Sequence, residues 1–422
     1  MCYAIPGKVV EINGQVATVD YYGECRKAYT DLTETAIGDY VYAQGGFIIR
    51  TVPVPEAREI LSDWRGLFFK LQGIDRKLTS NPRTIYGRAN AIRHKYQGNS
   101  CCVHGILEFS NYCKNNCLYC GIRNDNSSVT RYRMTPEEIL EAVGYAVEKL
   151  GFKALVLQSG EDPYYDEDKL EGIVREIRAR YPVLLFVSIG ERPLSTYRKL
   201  YQAGARGALI RFETANPDIY AGVKPGCDPA QRVKLIKEIG ELGYLIITGF
   251  LVGLPGETNR DVIRNIKLTG KLAGGRFEGQ RPDRLDATSV KAQTGPVAEA
   301  SMKEGMFSFG PFIAHPRTPL AGTPPPELSR MLNTIAQARL MYPAARIVVT
   351  TALETLDTQN GAREGLMAGA NSLMINITPI KYRRLYEIYP NRAGAGDDIT
   401  AGIDSVLKLL HSLGRAPTDI GI

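Results

Sequence analysis

The chain has 422 residues, with 52 basic against 45 acidic side chains and a formal net charge of +7. No apolar run approaches the roughly 20 residues of a membrane-spanning helix, and Met1-Cys2-Tyr3-Ala4-Ile5-Pro6 lacks a leader pattern. These features predict a cytoplasmic protein that engages no membrane. The basic excess is spread along the chain and forms no stripe, which argues against a nucleic-acid partner. Eight cysteines in a chain of this length do not make a disulfide scaffold; their clustering suits metal chemistry in a reducing compartment.

In chain order, the first 55 residues read as a small β-barrel. Val9–Ile12, Gln15–Asp20 and Tyr40–Tyr42 alternate, separated by Asn13-Gly14, Tyr22-Gly23 and Ile37-Gly38-Asp39. Cys25 reads as filling for that barrel. Val52-Pro53-Val54-Pro55 reads as extended punctuation. Residues 56–82 are a linker with a helix, whose apolar side holds Ala57, Ile60, Leu61, Trp64, Leu67 and Phe68. A second helix is predicted over Ile85 to Tyr96.

Cys113-Lys114-Asn115-Asn116-Cys117-Leu118-Tyr119-Cys120 carries the chemistry. Three thiolates in C-x3-C-x2-C spacing satisfy three irons of a four-iron cube and leave the fourth open to a ligand that is not protein. A structural zinc site would need a fourth Cys or His nearby, and none follows. Ile106–Ser110 reads as the buried strand that delivers this loop. Cys101 and Cys102 are adjacent, so they point to opposite faces of a strand and do not share a metal.

From Gly105 onward strands and helices alternate, which predicts a parallel sheet. Eight strands close a (βα)8 TIM-type barrel: Gly105–Ser110, Ala154–Gln158, Leu184–Ser188, Ala208–Phe212, Leu245–Phe250, Phe307–Ile313, Arg346–Thr350 and Ser372–Asn376. The fold class is therefore α/β, a barrel over 83–422 preceded by a small OB-like β-barrel. A Gly-rich, charged insertion at about 274–305 interrupts the rhythm and reads as weakly structured. Polar groups gather after the strands, where barrel catalysis lives. They are Ser159-Gly160-Glu161-Asp162, Gly190-Glu191-Arg192, Arg211-Phe212-Glu213-Thr214, Thr350-Thr351 and Asn376.

The cysteine stretch resembles the signature of radical S-adenosylmethionine (SAM) enzymes. Leu107–Cys113, Cys120-Gly121-Ile122-Arg123, Arg131–Met134, Leu157–Asp162, Arg211–Ala215, Gly253–Gly256, Gly310–Ile313, His315-Pro316 and Tyr382–Tyr386 extend that resemblance. They are similar to phrases of the FeFe-hydrogenase maturase (HydE) family, in the biotin-synthase-like group. The resemblance implies one 4Fe-4S cluster on Cys113, Cys117 and Cys120, with SAM as the second cofactor. It places Tyr119, Ser159, Glu161, Arg211, Glu213 and Arg232 at SAM, and Thr350, Thr351 and Tyr386 toward the substrate. It also implies a one-electron donor such as ferredoxin or flavodoxin. Two departures stand out: Phe212 replaces a family histidine, and no cysteine follows Cys227, so a second cluster is not expected.

The first domain, through Met1-Cys2, Ile5–Val10, Gly38–Val41 and Gly46-Phe47, resembles the hydrogenase assembly chaperone (HypC/HupF) family. In that family the cysteine after Met1 carries an iron unit with a nearby histidine. Here Cys2 is present, but Gln44 stands where the histidine is expected, and an amide is a poorer iron ligand. Together the two halves imply a radical SAM enzyme in hydrogenase iron-site assembly, acting on a small molecule or iron complex with an assembly protein as partner. Two alternatives stand beside it. One is an enzyme rearranging a small amino-acid-like substrate, as methylornithine synthase does, with the first domain a docking module. The other is a carrier of metal clusters on a barrel scaffold.

Overall fold

In the computed structural model, residues 5–80, 82–274 and 305–418 are described. Cys2, and all but the ends of the insertion expected at 274–305, lie outside them. The first five strands are β1 (Gly7–Asn13), β2 (Val16–Tyr21), β3 (Glu24–Tyr29), β4 (Tyr40–Gln44) and β5 (Phe47–Val52). They close into a barrel in the order β1-β2-β3-β5-β4. Val9, Ala17, Val19, Tyr21, Ala28, Val41, Ala43 and Ile48 fill it. Cys25 does not: it is exposed. Strand parity explains the correction, because Cys25 shares its face with the exposed Lys27 while Ala28 points inward.

No extended linker follows. Helix α1 (Val54–Thr79) begins at once, with Pro53 as its N-cap and Pro55 in the first turn, where a missing N–H costs nothing. Helix α2 (Ile85–Gln97) follows. The eight large-barrel strands are β6 (Cys102–Ser110), β7 (Ala154–Ser159), β8 (Leu184–Ser188), β9 (Gly207–Leu209), β10 (Leu245–Thr248), β12 (Met306–Phe307), β14 (Arg346–Val349) and β15 (Ser372–Asn376). They close in the order β10-β12-β14-β15-β6-β7-β8-β9, parallel throughout. The two-residue strands β11 (Leu251–Val252) and β13 (Gly310–Pro311) pair separately, beyond the ends of β10 and β12. The expected fifth strand stops early, at Thr248, and the expected sixth, Phe307–Ile313, is split between β12 and β13.

The remaining helices are α3 (Pro136–Gly144), α4 (Glu167–Arg180), α5 (Leu194–Gln202), α6 (Pro217–Val223), α7 (Pro229–Glu241), α8 (Asn259–Leu272), α9 (Leu328–Met341), α10 (Thr351–Leu356), α11 (Gly361–Met367), α12 (Ile380–Arg383) and α13 (Ile399–Ser412). Thr135 and Glu138 form the expected capping box of α3. No helix among the described residues is long and apolar enough to cross a membrane.

The two barrels share a core. Tyr42, Phe47, Ile49 and Val52 of the small barrel pack with Ala57 of α1 against the inward, lower side chains of the large one. Those are Ile106, Ala154, Val156, Leu184, Phe186, Leu245, Ile247, Met306 and Val348. The small barrel therefore closes the floor, and the C-terminal rim lies at the far end. An ion pair from Arg206 Nε to Asp31 Oδ2, at 2.9 Å, reinforces the junction.

Beneath β6 a buried charge network fixes α1 and α2. Asp75 accepts from Arg93 at 2.6 and 2.7 Å, lies 2.7 Å from His94 Nδ1 and 3.3 Å from Arg415 Nε. Burial works against the Asp75 charge, but Arg93, Arg415 and His94 outweigh it and hold the carboxyl below its ordinary value. A depressed pKa means its stabilisation is present above the unfolded value of about 4 and is lost as pH falls through the folded one. Removing the carboxylate strands two buried guanidiniums. Asp75→Ala should therefore cost about 3–5 kcal/mol, read as a lowered urea midpoint at neutral pH, with a smaller difference from the parent in acid.

Candidate active site at the barrel rim

The cysteine loop leaves the C-terminal end of β6 and is tied to other rim loops by backbone hydrogen bonds. Lys114 N donates to Glu161 O at 3.0 Å, Leu118 N to Val223 O at 2.9 Å and Gly121 N to Ile388 O at 2.9 Å, while Tyr119 O accepts from His315 N at 2.9 Å. Arg131 staples it from outside, donating to the carbonyls of Asn111 (2.6 Å), Ile122 (2.9 Å) and Arg123 (2.6 Å). Gly160 lets the β7 loop close on it: a Cβ there would sit 2.1 Å from Tyr112 O and 2.9 Å from Cys113 Cβ.

Cys113, Cys117 and Cys120 all open onto one cavity of about 270 Å³. Burial pushes the Cys117 thiol up to about 11, and burial together with the neighbouring thiols raises Cys120 further. Burial also raises Cys113. Metal binding must therefore displace protons that the thiols hold tightly. Among the described residues, no three Cys, His, Asp or Glu converge closely enough for a single metal ion. Three thiols on one cavity suit a cube, whose irons take one sulfur each.

The residues assigned to SAM and substrate, Tyr119, Ser159, Glu161, Arg211, Glu213, Arg232, Thr350, Thr351 and Tyr386, line this same cavity, whereas Asp162, Glu191, Arg192, Thr214 and Asn376 of the expected rim groups are not among its lining residues. Glu161 lies 3.6 Å from Lys114 Nζ and 3.6 Å from Arg232 Nη1. Gly190 makes room for it: with φ +70°, it has space where a Cβ would be 2.1 Å from Glu161 Cγ. Arg232, on α7, is buried. Burial opposes its charge, but Glu191 and Glu161 outweigh this and raise its pKa. Glu213 holds φ +66°, a region uncommon for a residue with a side chain. Its Oε2 is buried without a hydrogen-bond partner and lies 3.6 Å from Arg211 Nε. Thr350, the N-cap of α10, likewise has a buried Oγ1 with no partner. Asp162, one position past Glu161, turns away and is held by Arg133 at 2.7 and 2.9 Å and by Ser110 at 2.7 Å.

Sequence reasoning missed the pair that crosses the cavity below the rim. Arg392 donates to Glu108 at 2.5 and 3.2 Å, and Asn376 Nδ2 donates to the same carboxylate at 2.8 Å. Tyr386 and Tyr389 flank the guanidinium, 5.4 and 5.8 Å from its carbon. A lone carboxylate in the buried run of β6 was the available signal, since a parallel barrel strand is otherwise apolar. Its partner lies 284 residues away. Breaking such a pair leaves one buried charge uncompensated. Arg392→Ala should cost about 3–5 kcal/mol, and Arg392→Ala with Glu108→Gln less than the sum of the two single changes, by denaturant titration of all four proteins.

Comparison with known proteins places this geometry. The Radical SAM superfamily profile matches residues 107–269, and the HupF/HypC family profile matches residues 1–64. The FeFe-hydrogenase maturase subunit HydE of Thermotoga maritima is 37% identical over 364 residues, 85% of this chain and 95% of that protein. A 3-methylornithine synthase of Methanosarcina acetivorans is 28% identical over 335 residues, 79% of this chain and 85% of that one. The crystal structure of a methylornithine synthase superposes with a TM-score of 0.61 at 24% identity, covering 84% of this chain and 97% of its own. The FeFe-hydrogenase maturase HydG of Carboxydothermus hydrogenoformans superposes at 0.60 and 19% identity, covering 83% and 79%. At these identities the two structures attest the fold alone.

Proposed function

We propose, on the premise that this chain belongs to the radical SAM superfamily and within it to the family of the maturase HydE, that it performs radical SAM chemistry in assembling a hydrogenase-type iron site. The cofactors of the family are a 4Fe-4S cluster and SAM. The chemistry they supply when bound is reductive cleavage of the sulfonium–C5′ bond, giving methionine and a 5′-deoxyadenosyl radical. Cys113, Cys117 and Cys120 are assigned to the cluster, one thiolate to each of three irons. The observation that carries this reading is the meeting of these thiols with Glu161, Arg211, Glu213 and Arg232 on one cavity wall.

The chain's own work is binding, orientation and exclusion of water. SAM's amino-acid end carries an ammonium and a carboxylate. Glu161 and Glu213 are acceptors for the ammonium or the ribose hydroxyls, and Arg232 and Arg211 are donors for the carboxylate. Glu213 Oε2, which accepts no hydrogen bond and has only the 3.6 Å ion pair with Arg211, supports that assignment, because a buried carboxylate oxygen short of a donor costs free energy until one arrives. Tyr119 and Ser159 complete this wall. Thr350 directly follows the seventh barrel strand, β14, three strands round from β9, and its orphaned Oγ1 supports a substrate position there with Thr351 and Tyr386. Walls closed on the floor side keep a carbon radical from bulk water.

A second reading, in which the substrate is a small amino-acid-like molecule, is favoured by the likeness to 3-methylornithine synthase across 85% of its length. The HypC-like domain is what separates the two. In the first reading it engages a hydrogenase assembly protein, and Cys2 carries or receives iron; in the second it only docks. Ferredoxin or flavodoxin is the class of reductant that suits either.

Anaerobic reconstitution should give about four irons per chain, and reduction should release 5′-deoxyadenosine from SAM. Near eight irons per chain, or a Cys113→Ala, Cys117→Ala, Cys120→Ala protein that keeps its cluster absorbance, would refute the assignment. Glu213→Gln should weaken SAM binding by about 1.5–3 kcal/mol in equilibrium dialysis. Cys2→Ala should leave SAM cleavage unchanged and sharply lower maturation of a hydrogenase in a coupled assay. Unchanged maturation would favour the docking reading.

A further inference from the structure

The reading above leaves one charge on the cavity wall without a task. Among the described residues, four cations line the chamber: Arg211, Lys224, Arg232 and Arg392. Three of them are answered by carboxylates. Arg392 Nη2 lies 2.5 Å from Glu108, Arg232 pairs with Glu191 and lies 3.6 Å from Glu161, and Arg211 Nε lies 3.6 Å from Glu213. Lys224 has neither a carboxylate nor a hydrogen-bond acceptor for its ammonium among the described residues, although only 3% of it is exposed. Its Nζ lies 5.9 Å from the ring centroid of Tyr220, the outer limit of a cation–π contact. A lysine is almost never buried this fully unless it is paired, so the chain holds the charge here against its solvation.

The backbone ties this charge to the cysteine loop. Lys224 is the C-cap of α6, and its own N–H donates to Tyr220 O at 2.8 Å. Val223, one residue earlier, accepts a hydrogen bond at 2.9 Å from Leu118 N, between Cys117 and Cys120. Burial raises the thiols of Cys113, Cys117 and Cys120, and the charge of Lys224 works against burial at each of them. One ammonium felt by all three sulfurs acts on whatever they hold in common.

We propose that Lys224 is the counter-ion of the cluster held by Cys113, Cys117 and Cys120, and that its charge sets how readily that cluster accepts an electron. This rests on the radical SAM reading and adds to it a residue that acts by charge rather than by ligation. A cube held by three thiolates is an anion, and reduction makes it more negative; the net charge around such a cluster sets its potential. A cation fixed in a wall of low dielectric favours the more negative, reduced state. Arg211 and Arg232 are each faced by a carboxylate already, so they bring no net charge to the cube.

The test is a redox titration of reconstituted full-length protein without SAM, read by the electron paramagnetic resonance signal of the reduced cluster. In Lys224→Met and Lys224→Gln the midpoint should fall. At the potential that reduces half of the parent's clusters, the ratio of reduced to oxidised cluster should drop about tenfold, which is about 59 mV for a one-electron couple. Lys224→Arg keeps the charge and should keep the parent's ratio. Iron content is measured in every variant. Loss of the cluster from both neutral variants, with full loading of Lys224→Arg, supports the same role, since a charge is then needed to hold the anion at all; loss from all three overturns it. A parent that takes up no four-iron cluster fails the radical SAM reading instead. Loaded neutral variants with the parent's midpoint overturn the counter-ion, and so does an equal fall in Lys224→Arg. If such unmoved variants bind SAM more weakly, the lysine serves the carboxylate of SAM and not the cluster.

Discussion

A strand in a closed parallel barrel has no side open to water, and β6 shows what that demands. Its nine residues are all buried. The outward face, Val103, Leu107 and Phe109, joins the apolar layer beneath the helices. The inward face runs from Cys102 and His104 through Ile106 to Glu108. Each polar group on it has to be answered by another part of the chain. Gln44 of the small barrel faces Cys102, and Arg392 with Asn376 answers Glu108. One strand thereby fixes the seat of the first domain, the polar wall of the cavity and the take-off point of the cysteine loop.

Much of this was legible because it is local. The C-x3-C-x2-C stretch, the capping box of α3 and the eight apolar runs are each contained within a few residues. The expected first strand began at Gly105, with the cysteine pair read as a separate strand just ahead of it; the two are one strand that runs unbroken from Cys102 to Ser110. The fourth was expected to run on through Phe212. The ladder stops at Leu209, and the chain leaves it in time to turn Glu213 into its left-handed conformation. Val54-Pro55 read as a spacer because proline disfavours helix interiors, yet a first turn accepts it. Glu108 with Arg392, and Gln44 with Cys102, were out of reach for a different reason. Their partners are 284 and 58 residues apart, and nothing but closure of the two barrels brings them together.

The shared core also changes what the two-part composition of the chain means. Residues 1–64 match one family and 107–269 another, yet Phe47 and Ile49 of the first pack among Val156, Phe186 and Ile247 of the second. Such contacts are those of one folding unit rather than of two modules on a tether. The buried Asp75, Arg93 and Arg415 network extends that unit to the C-terminal end of the described chain. Binding at the small barrel and chemistry at the rim therefore share a rigid frame.

The closed floor has a kinetic consequence. Opening it would expose the apolar faces of both barrels at about 25 cal/mol for each Å², so exchange through that end is far slower than exchange at the rim. What enters the chamber and what is made there then use the same doorway. A product that lingers in the chamber therefore blocks the next substrate.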